Sequence, residues 1–307
     1  MKHNADAVRF HFPFIKTSRY WLILSAVLLL VSIVSLVVQG FNLGVDFKGG
    51  VLTNYRFEQP VTVADIRSVY TAHGVNDVVI QEYAGSGGHE FKVTAPVMTD
   101  EERLAVQKDL EDKLGKLEIL SQDQVSATVG SELRSRGIWA FVLATLMMIL
   151  YMSIRFDVPY ALAGVAGMIH NILILMGIFS VLRLPVDASF ITAVLTAYGY
   201  SIHDSIIIFD RVRERLGLGL KEPLEETVNI SINQTLSRTI NTVVTVLLAL
   251  LAMFFFAGES VHLLVLALII GIVVGTYSTI FIANPIFIYL VKFMEKRGYR
   301  RRLARAS

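Results

Sequence analysis

The chain is a succession of long apolar stretches interrupted by one long polar segment. Six stretches are long enough to cross a bilayer as helices, which takes about 20 apolar residues. They occupy residues 20–40, 138–154, 160–182, 188–209, 239–257 and 261–291. The last stretch contains Gly271, Gly275 and Pro285, so the sequence alone does not fix its end. The pattern predicts a polytopic α-helical membrane protein with one span before the polar segment and a five-helix bundle, residues 138–291, after it.

The polar segment, residues 41–137, alternates between strand-like and helix-like patterns. Strand patterns occupy residues 51–57, 77–84, 90–95 and 117–129, and helix patterns with capping signals occupy residues 62–74 and 99–115. The sequence GSGGH, residues 85–89, separates the two middle strands and is a hairpin signal. The order β-α-β-β-α-β is that of the ferredoxin-like motif, which predicts a small α+β domain.

Lysine and arginine lie mainly on one side of the predicted spans. Both tails, residues 1–19 and 292–307, are rich in them, and so is the connection between the fourth and fifth spans. The two short connections on the opposite side share only Arg183. Because positively charged loops stay in the cytoplasm, we expect cytoplasmic termini and an extracytoplasmic domain. The first span ends without a small-residue cleavage site, which indicates an uncleaved anchor.

Composition narrows the class of protein. The chain is 54% hydrophobic and has no cysteine, which indicates an integral membrane protein surrounded by lipid and excludes disulfides and thiolate chemistry. No nucleotide-binding loop, metal-ligand cluster or Ser/His/Asp arrangement is evident. The glycine-rich GSGGHE, residues 85–90, joins two strands rather than opening a helix. We therefore predict a protein that is not an enzyme and that needs no cofactor, metal or nucleic acid.

Asp204 is the one acidic residue that falls within a predicted span. A carboxylate in hydrocarbon costs several kcal/mol or takes up a proton, so its presence there points to function. Ser201 and Ser205 share its helical face, and Gly199 upstream is expected to allow a close helix approach.

The fifth span begins with a polar stripe that supplies a candidate basic partner. Its positions follow helical spacing around Arg238 and comprise Ser231, Gln234, Thr235, Asn241, Thr242 and Thr245. A polar stripe on a membrane helix should face protein or water, so we predict a buried, proton-coupling pair between Asp204 and Arg238.

Structural interpretations of the same residues remain open. Arg238 lies at the edge of its apolar run and could extend to the headgroups. His203 points about 100° away from the Asp204 face, which leaves it either as a second titrating residue or as a packed histidine. The sequence FDRVRER, residues 209–215, places Asp210, Arg211 and Arg213 at the end of the fourth span, where a charged cluster also anchors a helix at the cytoplasmic surface.

Three motifs in order give the chain a family resemblance. GVDFKGG, residues 44–50, contributes Gly44, Asp46, Phe47, Gly49 and Gly50 just after the first span. GYSIHDSIIIFDRVRE lies at residues 199–214 and SINQTLSRTINT at residues 231–242. Together they resemble the SecD/SecF family of protein-export membrane proteins, within the resistance-nodulation-division (RND) superfamily, over almost the whole chain.

The resemblance implies a half-transporter with a 1+5 arrangement of six transmembrane helices and a periplasmic domain, in the inner membrane of a bacterium. It further implies partnership with SecD, the SecYEG translocon, YajC and a translocating preprotein. Its coupling ion would be the proton, driven by the proton motive force. The Asp–Arg pair of the family corresponds to Asp204 and Arg238.

The sequence departs from the family pattern at three positions. The family has asparagine where this chain has His203, and serine and threonine where it has Val243 and Val246. The valines make the deep end of the polar stripe drier. A passive assembly subunit for SecD and a small-molecule exporter of the RND type remain alternatives, whereas an intramembrane aspartyl protease would need a second aspartate facing Asp204.

Overall fold

The structure is a computed structural model that describes residues 11–85, 88–220, 222–257 and 261–296. Several sequence predictions fall outside these ranges. They are the first ten residues of the N-terminal tail, the two turn residues 86–87 of the predicted hairpin, and the basic residues 297–307 of the C-terminal tail.

Helices alternate with short strands in the first part of the chain and dominate the rest. In chain order, the elements are α1 (Phe14–Val38), β1 (Asn42–Leu43), α2 (Val45–Lys48), β2 (Gly50–Phe57), α3 (Val63–Ala72), β3 (Val79–Gly85), β4 (Gly88–Ala95), α4 (Asp100–Leu114), β5 (Leu117–Val125), α5 (Ala127–Arg155), α6 (Val158–Val181), β6 (Pro185–Val186), α7 (Ala188–Gly217), α8 (Leu224–Phe256), α9 (His262–Ser278), a π-helical turn (Thr279–Ala283) and α10 (Asn284–Lys296). The chain divides into two compact units: Leu43–Trp139, and a helical unit formed by the residues up to Asn42 together with those from Ala140 onwards.

The unit Leu43–Trp139 contains a four-stranded sheet in the order β3-β4-β2-β5, and all neighbouring strands are antiparallel. With α3 and α4 it follows the predicted order β-α-β-β-α-β, the ferredoxin-like motif. Both helices begin with a capping box, Thr62 with Asp65 and Thr99 with Glu102, in which side chain and backbone satisfy each other. These local signals explain why the sequence pattern located the helices correctly.

The last predicted strand of this unit, residues 117–129, is too long. Strand β5 ends at Val125 and helix α5 begins at Ala127. Ser126 separates them because its hydroxyl accepts a hydrogen bond from the amide of Val129, at 3.3 Å, as a helix-capping serine does. The β-branched residues Thr128 and Val129, which the sequence pattern placed in the strand, thus lie in the first turn of α5.

A hydrophobic core joins the sheet to its two helices. Strand β2 alternates, so that Val51, Thr53, Tyr55 and Phe57 are buried while Leu52, Asn54 and Arg56 are partly exposed. The hydroxyls of Tyr55 and Tyr70 lie 3.2 Å apart within this core, and burial raises the pKa of both phenols. Both tyrosines therefore stay neutral.

Five helical segments are long and apolar enough to cross a membrane, among the residues that the structure describes. They are Phe14–Val38, Thr128–Arg155, Val158–Val181, Leu224–Phe256 and His262–Lys296. Helix α7 is not among them, and its apolar stretch contains the polar residues Ser201, His203, Asp204 and Ser205. The chain is therefore a polytopic helical membrane protein, and the sixth span remains a prediction.

The helices extend beyond the predicted spans. Helix α7 continues to Gly217 rather than ending at residue 209, and α8 begins at Leu224, well before residue 239. Apolar composition marks the part of a helix suited to lipid, whereas capping and proline residues mark where the helix itself begins and ends. Pro223, directly before α8, is such a boundary residue.

In the helical unit, glycines of α9 and α6 allow neighbouring helices to approach closely. A Cβ added to Gly271 would lie 2.6 Å from the Cβ of Ala197 in α7, and one added to Gly177 would lie 2.0 Å from the Oγ of Ser32 in α1. The expectation for Gly199 is not met within this chain, because no atom of the described residues lies within 4 Å of its added Cβ. The close approach to α7 occurs at Ala197, and the glycine at this contact is Gly271 of α9.

Candidate functional site

Asp204 lies in the interior of the helical unit. Its exposed fraction is 0%, and neither carboxylate oxygen has a hydrogen-bond partner among the described residues. Helix α7 packs against α6, α8 and α9, which together remove this position from the surface. A buried carboxylate without a hydrogen bond is costly as an anion, so the chemistry of this position favours a group that takes up and releases a proton.

Hydrogen-bonded hydroxyl groups lie on helix α7 close to Asp204 in the chain. Ser201 and Ser205 are both buried, and the Oγ of Ser205 donates to the carbonyl of Ser201 at 3.1 Å. Thr279, on the π-helical turn, lies 3.2 Å from the Ser205 hydroxyl and donates to the Ser201 carbonyl at 3.3 Å. The sequence analysis singled out the two serines but missed Thr279. This threonine is one of four consecutive hydroxyl-bearing residues, 276–279, and the spacing along the chain does not show which of them reaches α7.

The predicted ion pair between Asp204 and Arg238 is not formed in the structure. Arg238 is exposed, and its guanidinium makes no ion pair or hydrogen bond within the described part of the chain. The buried face of α8 runs through Thr235, Thr239 and Val243, and one residue along a helix turns by about 100°. Arg238 therefore points away from the face that α8 presents to the interior.

The polar stripe around Arg238 divides into a buried and an exposed half. Ser231 and Thr235 are buried and donate to carbonyls of their own helix, at 2.8 and 2.9 Å. Asn241 and Thr245 are exposed and Thr242 is half-buried. We expected the stripe to face protein, and within this chain only its first half does so.

Gln234 connects the stripe to α7, since its carbonyl oxygen accepts a hydrogen bond from Arg211 Nε at 2.7 Å. Thr239, which the sequence did not single out, is 1% exposed, and its hydroxyl has no partner among the described residues. The predicted stripe contains positions at helical spacing from Arg238. Thr239 is the next residue and lies about 100° away on the helix, so this spacing does not include it.

His203 is exposed and lies off the Asp204 face, as its helical position predicted. His170 of α6 is the buried histidine: its Nδ1 lies 3.1 Å from the Oγ of Ser278, which donates to the Gly167 carbonyl at 2.6 Å. Within the described ranges no three His, Cys, Asp or Glu side chains converge as metal ligands.

Asp210 organises the charged end of α7. Its carboxylate pairs with Arg155 at 3.1 Å and with Arg213 at 2.9 Å, and both guanidiniums lie over the ring of Phe156. Arg211 also pairs with Glu214, at 2.6 Å. This network joins α7 to the end of α5, which favours the interpretation of an anchored helix end.

The GVDFKGG motif forms a compact turn into β2. Gly44 precedes the short helix α2, in which Phe47 is buried and Asp46 is half-buried. Gly49 and Gly50 then adopt φ values of 79° and 145°, which other residues rarely take. A Cβ on Gly50 would lie 2.5 Å from the carbonyl oxygen of Ala95, so this glycine lets β2 approach β4.

Comparisons with known proteins agree with these motifs. The family model described as "Protein export membrane protein SecD/SecF, C-terminal" matches residues 105–293, and the one described as "SecD/SecF GG Motif" matches residues 34–61. The protein translocase subunit SecF of Acidaminococcus fermentans is 37% identical over 292 residues, covering 93% of this chain and 99% of that protein. The same subunit of Haemophilus influenzae is 35% identical over 286 residues, covering 92% of this chain and 87% of that protein.

A solved structure shares the fold. The crystal structure of SecDF from Thermus thermophilus, described as a translocon-associated membrane protein, superimposes with a TM-score of 0.84 at 34% identity. The match covers 94% of this chain and 39% of that longer chain. These relatives are transport components, in accord with the prediction that the chain is not an enzyme. The chain belongs to the SecD/SecF family of protein-export membrane proteins.

Proposed function

We propose that this chain is the SecF-like subunit of a bacterial Sec protein-export machinery. It works with SecD beside the SecYEG translocon, with YajC as a further partner, and promotes the late translocation of preproteins across the inner membrane. Family membership and the near-complete overlap with SecF relatives support the class of function. The longer SecDF chain from Thermus thermophilus supports SecD as the partner.

The proton motive force drives this activity through Asp204. The observation that carries the proposal is the complete burial of this carboxyl without a hydrogen-bond partner among the described residues. A group in such a site alternates between a neutral form that suits its surroundings and an anion that needs a new partner. One proton crossing the membrane supplies about 2.3 kcal/mol per 100 mV, which is enough to bias a two-state packing.

Arg238 is that new partner in the proposed cycle. The separation of Arg238 from Asp204 in the structure corresponds to the neutral carboxyl, and ionisation draws the arginine towards the carboxylate. The exposed half of the polar stripe, with Arg238, Asn241 and Thr245, would be costly in lipid. We therefore assign this surface to the interface with SecD, where it has polar contacts in the other state.

The ferredoxin-like unit carries the motion to the preprotein. We place Leu43–Trp139 in the periplasm and both termini in the cytoplasm, with α7 as the sixth span. The change in packing between α7 and α8 moves this unit, which holds or releases the emerging polypeptide. In this proposal, residues 41–137 move when Asp204 takes up or releases a proton.

The test is export driven by the proton motive force in membrane vesicles that contain Asp204→Asn. The variant must reach the membrane and co-purify with SecD at normal levels. Asp157→Asn is the matched control, because Asp157 precedes α6 without a side-chain capping bond and asparagine serves equally well at such a position. We expect Asp204→Asn to lose the proton-driven part of export and Asp157→Asn to retain it.

Passive assembly of SecD is the second candidate function. Helices α5 and α8 expose long rows of apolar side chains, among them Leu143, Leu146, Leu150, Leu248 and Phe255, which offer surface to a partner helix. Normal export in Asp204→Asn would favour this function and would refute proton coupling at Asp204. Loss of export with normal assembly would favour coupling.

A further inference from the structure

The π-helical turn Thr279–Ala283 interrupts the last long helix beside Asp204. Such turns carry one residue more than an α-helical turn and need local support, since they release backbone groups from regular pairing. Asn284 provides this support: its exposed fraction is 0%, and its Nδ2 donates to the Thr279 carbonyl at 2.7 Å. Pro285 adds to the interruption because it has no amide hydrogen to donate to the preceding turn.

The turn directs the Thr279 side chain into α7. Thr279 is 1% exposed, and its hydroxyl contacts both the Ser205 hydroxyl and the Ser201 carbonyl. The Ser205 hydroxyl donates to the same carbonyl. Two hydroxyl donors thus converge on one acceptor, one turn before Asp204 on the same helix.

We propose that Thr279 is a positioning residue for Asp204, and that Asn284 holds the π-helical turn that directs it. Thr279 serves as the second donor for the Ser201 carbonyl. When Asp204 is ionised, Ser205 turns its hydroxyl towards the carboxylate while Thr279 keeps the carbonyl satisfied. When Asp204 is protonated, Ser205 returns to the carbonyl, which is the arrangement in the structure.

The surrounding elements supply few other charges for this task. The titratable and charged side chains on the elements packed against α7 are Tyr160 and His170 of α6, His262 and Tyr277 of α9, and Glu225, Glu226 and Arg238 of α8. Helix α7 itself adds Tyr198, Tyr200 and His203, and the charged residues Asp210, Arg211, Arg213, Glu214 and Arg215 near its end. The bonded partner of His170 is Ser278, and Tyr277 contacts α1 through Ser25 and Trp21. Among the polar groups near Asp204, the Ser205 and Thr279 hydroxyls are the ones that contact the Ser201 carbonyl on the same helix.

The proposal rests on the proposed function of Asp204, so its test needs a readout besides export. A carbodiimide reacts with protonated carboxyl groups in membranes, and the modified Asp204 peptide can be quantified by mass spectrometry. Membranes containing the chain with SecD are labelled at one fixed alkaline pH. Loss of the second donor disfavours the carboxylate, so Thr279→Val should label Asp204 roughly tenfold faster and slow proton-driven export by a similar factor.

Two variants separate positioning from packing. Thr279→Ser keeps the hydroxyl and should restore both rates. Thr276→Val removes a hydroxyl one turn earlier, which among the described residues bonds only the Ile272 carbonyl of its own helix, at 2.9 Å, and this variant should leave both rates unchanged. Adding Ser205→Ala to Thr279→Val should change the rates less than the sum of the single effects, because the two hydroxyls act together.

The outcomes distinguish the two proposals. Unchanged labelling in Thr279→Val, or equal effects of Thr276→Val and Thr279→Val, would overturn the positioning role and leave proton coupling at Asp204 intact. Faster labelling in Thr279→Val together with normal export in Asp204→Asn would keep the positioning role and refute proton-driven export through Asp204. If Thr279→Val does not reach the membrane, Thr279→Ser is compared with Ser205→Ala. Equal changes of the labelling rate and of the export rate in these two variants would overturn the proposal.

Discussion

Gly50 shows how one backbone position fixes the start of the sheet. Its φ of 145° and the 2.5 Å between an added Cβ and the Ala95 carbonyl oxygen leave no room for a side chain. The last glycine of the motif is thus required by the antiparallel pairing of β2 with β4, in which Val51 is opposite Ala95. A role in folding accounts for this part of the motif without any ligand.

We predict that Gly50→Ala destabilises the ferredoxin-like unit by about 3 kcal/mol, from backbone strain and from the clash with Ala95. Gly74→Ala is the matched control, since Gly74 also has a positive φ of 81° but no atom lies within 4 Å of its added Cβ. That control should cost only about 1 kcal/mol. Thermal unfolding of the two purified variants measures the difference, and equal costs would show that β4 moves aside.

Asp109 gives the same unit a dependence on pH. Its carboxylate accepts hydrogen bonds from Lys113 Nζ at 3.0 Å and His73 Nε2 at 3.1 Å, and these bonds hold its pKa below the ordinary value of 3.8. A carboxyl with a lowered pKa stabilises the folded state above the unfolded pKa, and the contribution is lost as the pH falls through the folded value.

Asp109→Asn should therefore lower the unfolding temperature near neutral pH by roughly one or two degrees, and the difference should vanish in acid, once the pH lies below the lowered pKa of the folded carboxyl. Asp112→Asn, on the same helix, is the control, because Asp112 is exposed and makes no ion pair or hydrogen bond within the described residues. Unfolding curves at the two pH values provide the measurement. A difference that persists in acid would assign the effect to packing rather than to charge.

At the scale of elements, the contact between α1 and α6 depends on Gly177. A Cβ added there would lie 2.0 Å from the Ser32 hydroxyl oxygen and 2.7 Å from the Ser32 Cα, so backbone and side chain both obstruct it. Nearby, the Ser35 and Ser180 hydroxyls lie 2.8 Å apart across the same pair of helices. Small residues thus let the first span dock against the bundle.

Gly177→Ala should separate α1 from α6 and destabilise the helical unit by about 2 kcal/mol. Gly199→Ala is the contrasting variant, since Gly199 has open space around it and alanine favours a helix by about 1 kcal/mol. Thermal stability in detergent should fall for the first and stay level or rise for the second. A loss in both variants would mean that Gly199 faces a subunit or lipid contact beyond this chain.

The sequence located most elements because their signals are local. The capping threonines Thr62 and Thr99, the alternation of β2 and the length of the apolar runs can each be recognised from neighbouring residues. Helix rotation is not local, which is why the assignment of Arg238 to the interior was wrong for this structure. Spacing put Arg238 and Thr235 on one stripe, but packing against α7 and α9 turned the interior towards Thr239.

The same argument explains the missing members of the site. Thr279 and Asn284 lie on a different helix from Asp204, and only the π-helical turn brings the Thr279 hydroxyl to Ser205. Residues 276–279 all carry hydroxyl groups, so the sequence shows a polar run but not which side chain the additional residue of the turn directs towards α7. Sequence patterns could thus find the acid of the site and its own helix face, but not the residues that another helix contributes.

At the scale of the whole molecule, the exposed polar half of α8 separates what this chain does alone from what it does in a complex. Arg238 makes no ion pair or hydrogen bond within the described residues, so its removal takes no contact away from them. We predict that Arg238→Leu changes the unfolding free energy of the isolated chain by less than about 0.5 kcal/mol. If α8 faces SecD as proposed, the same variant lowers proton-driven export at normal membrane levels.

Arg211→Leu is the comparison for this prediction, because Arg211 bonds Gln234 and Glu214 within the chain. It should destabilise the isolated chain by about 1–2 kcal/mol through the loss of two charge-assisted bonds. Thermal unfolding of the isolated chain and export in vesicles containing SecD are measured for both variants. A stability loss in Arg238→Leu as large as that in Arg211→Leu would place the Arg238 contact within this chain. Unchanged export would remove Arg238 from the proton cycle and leave Asp204 to act with groups of SecD.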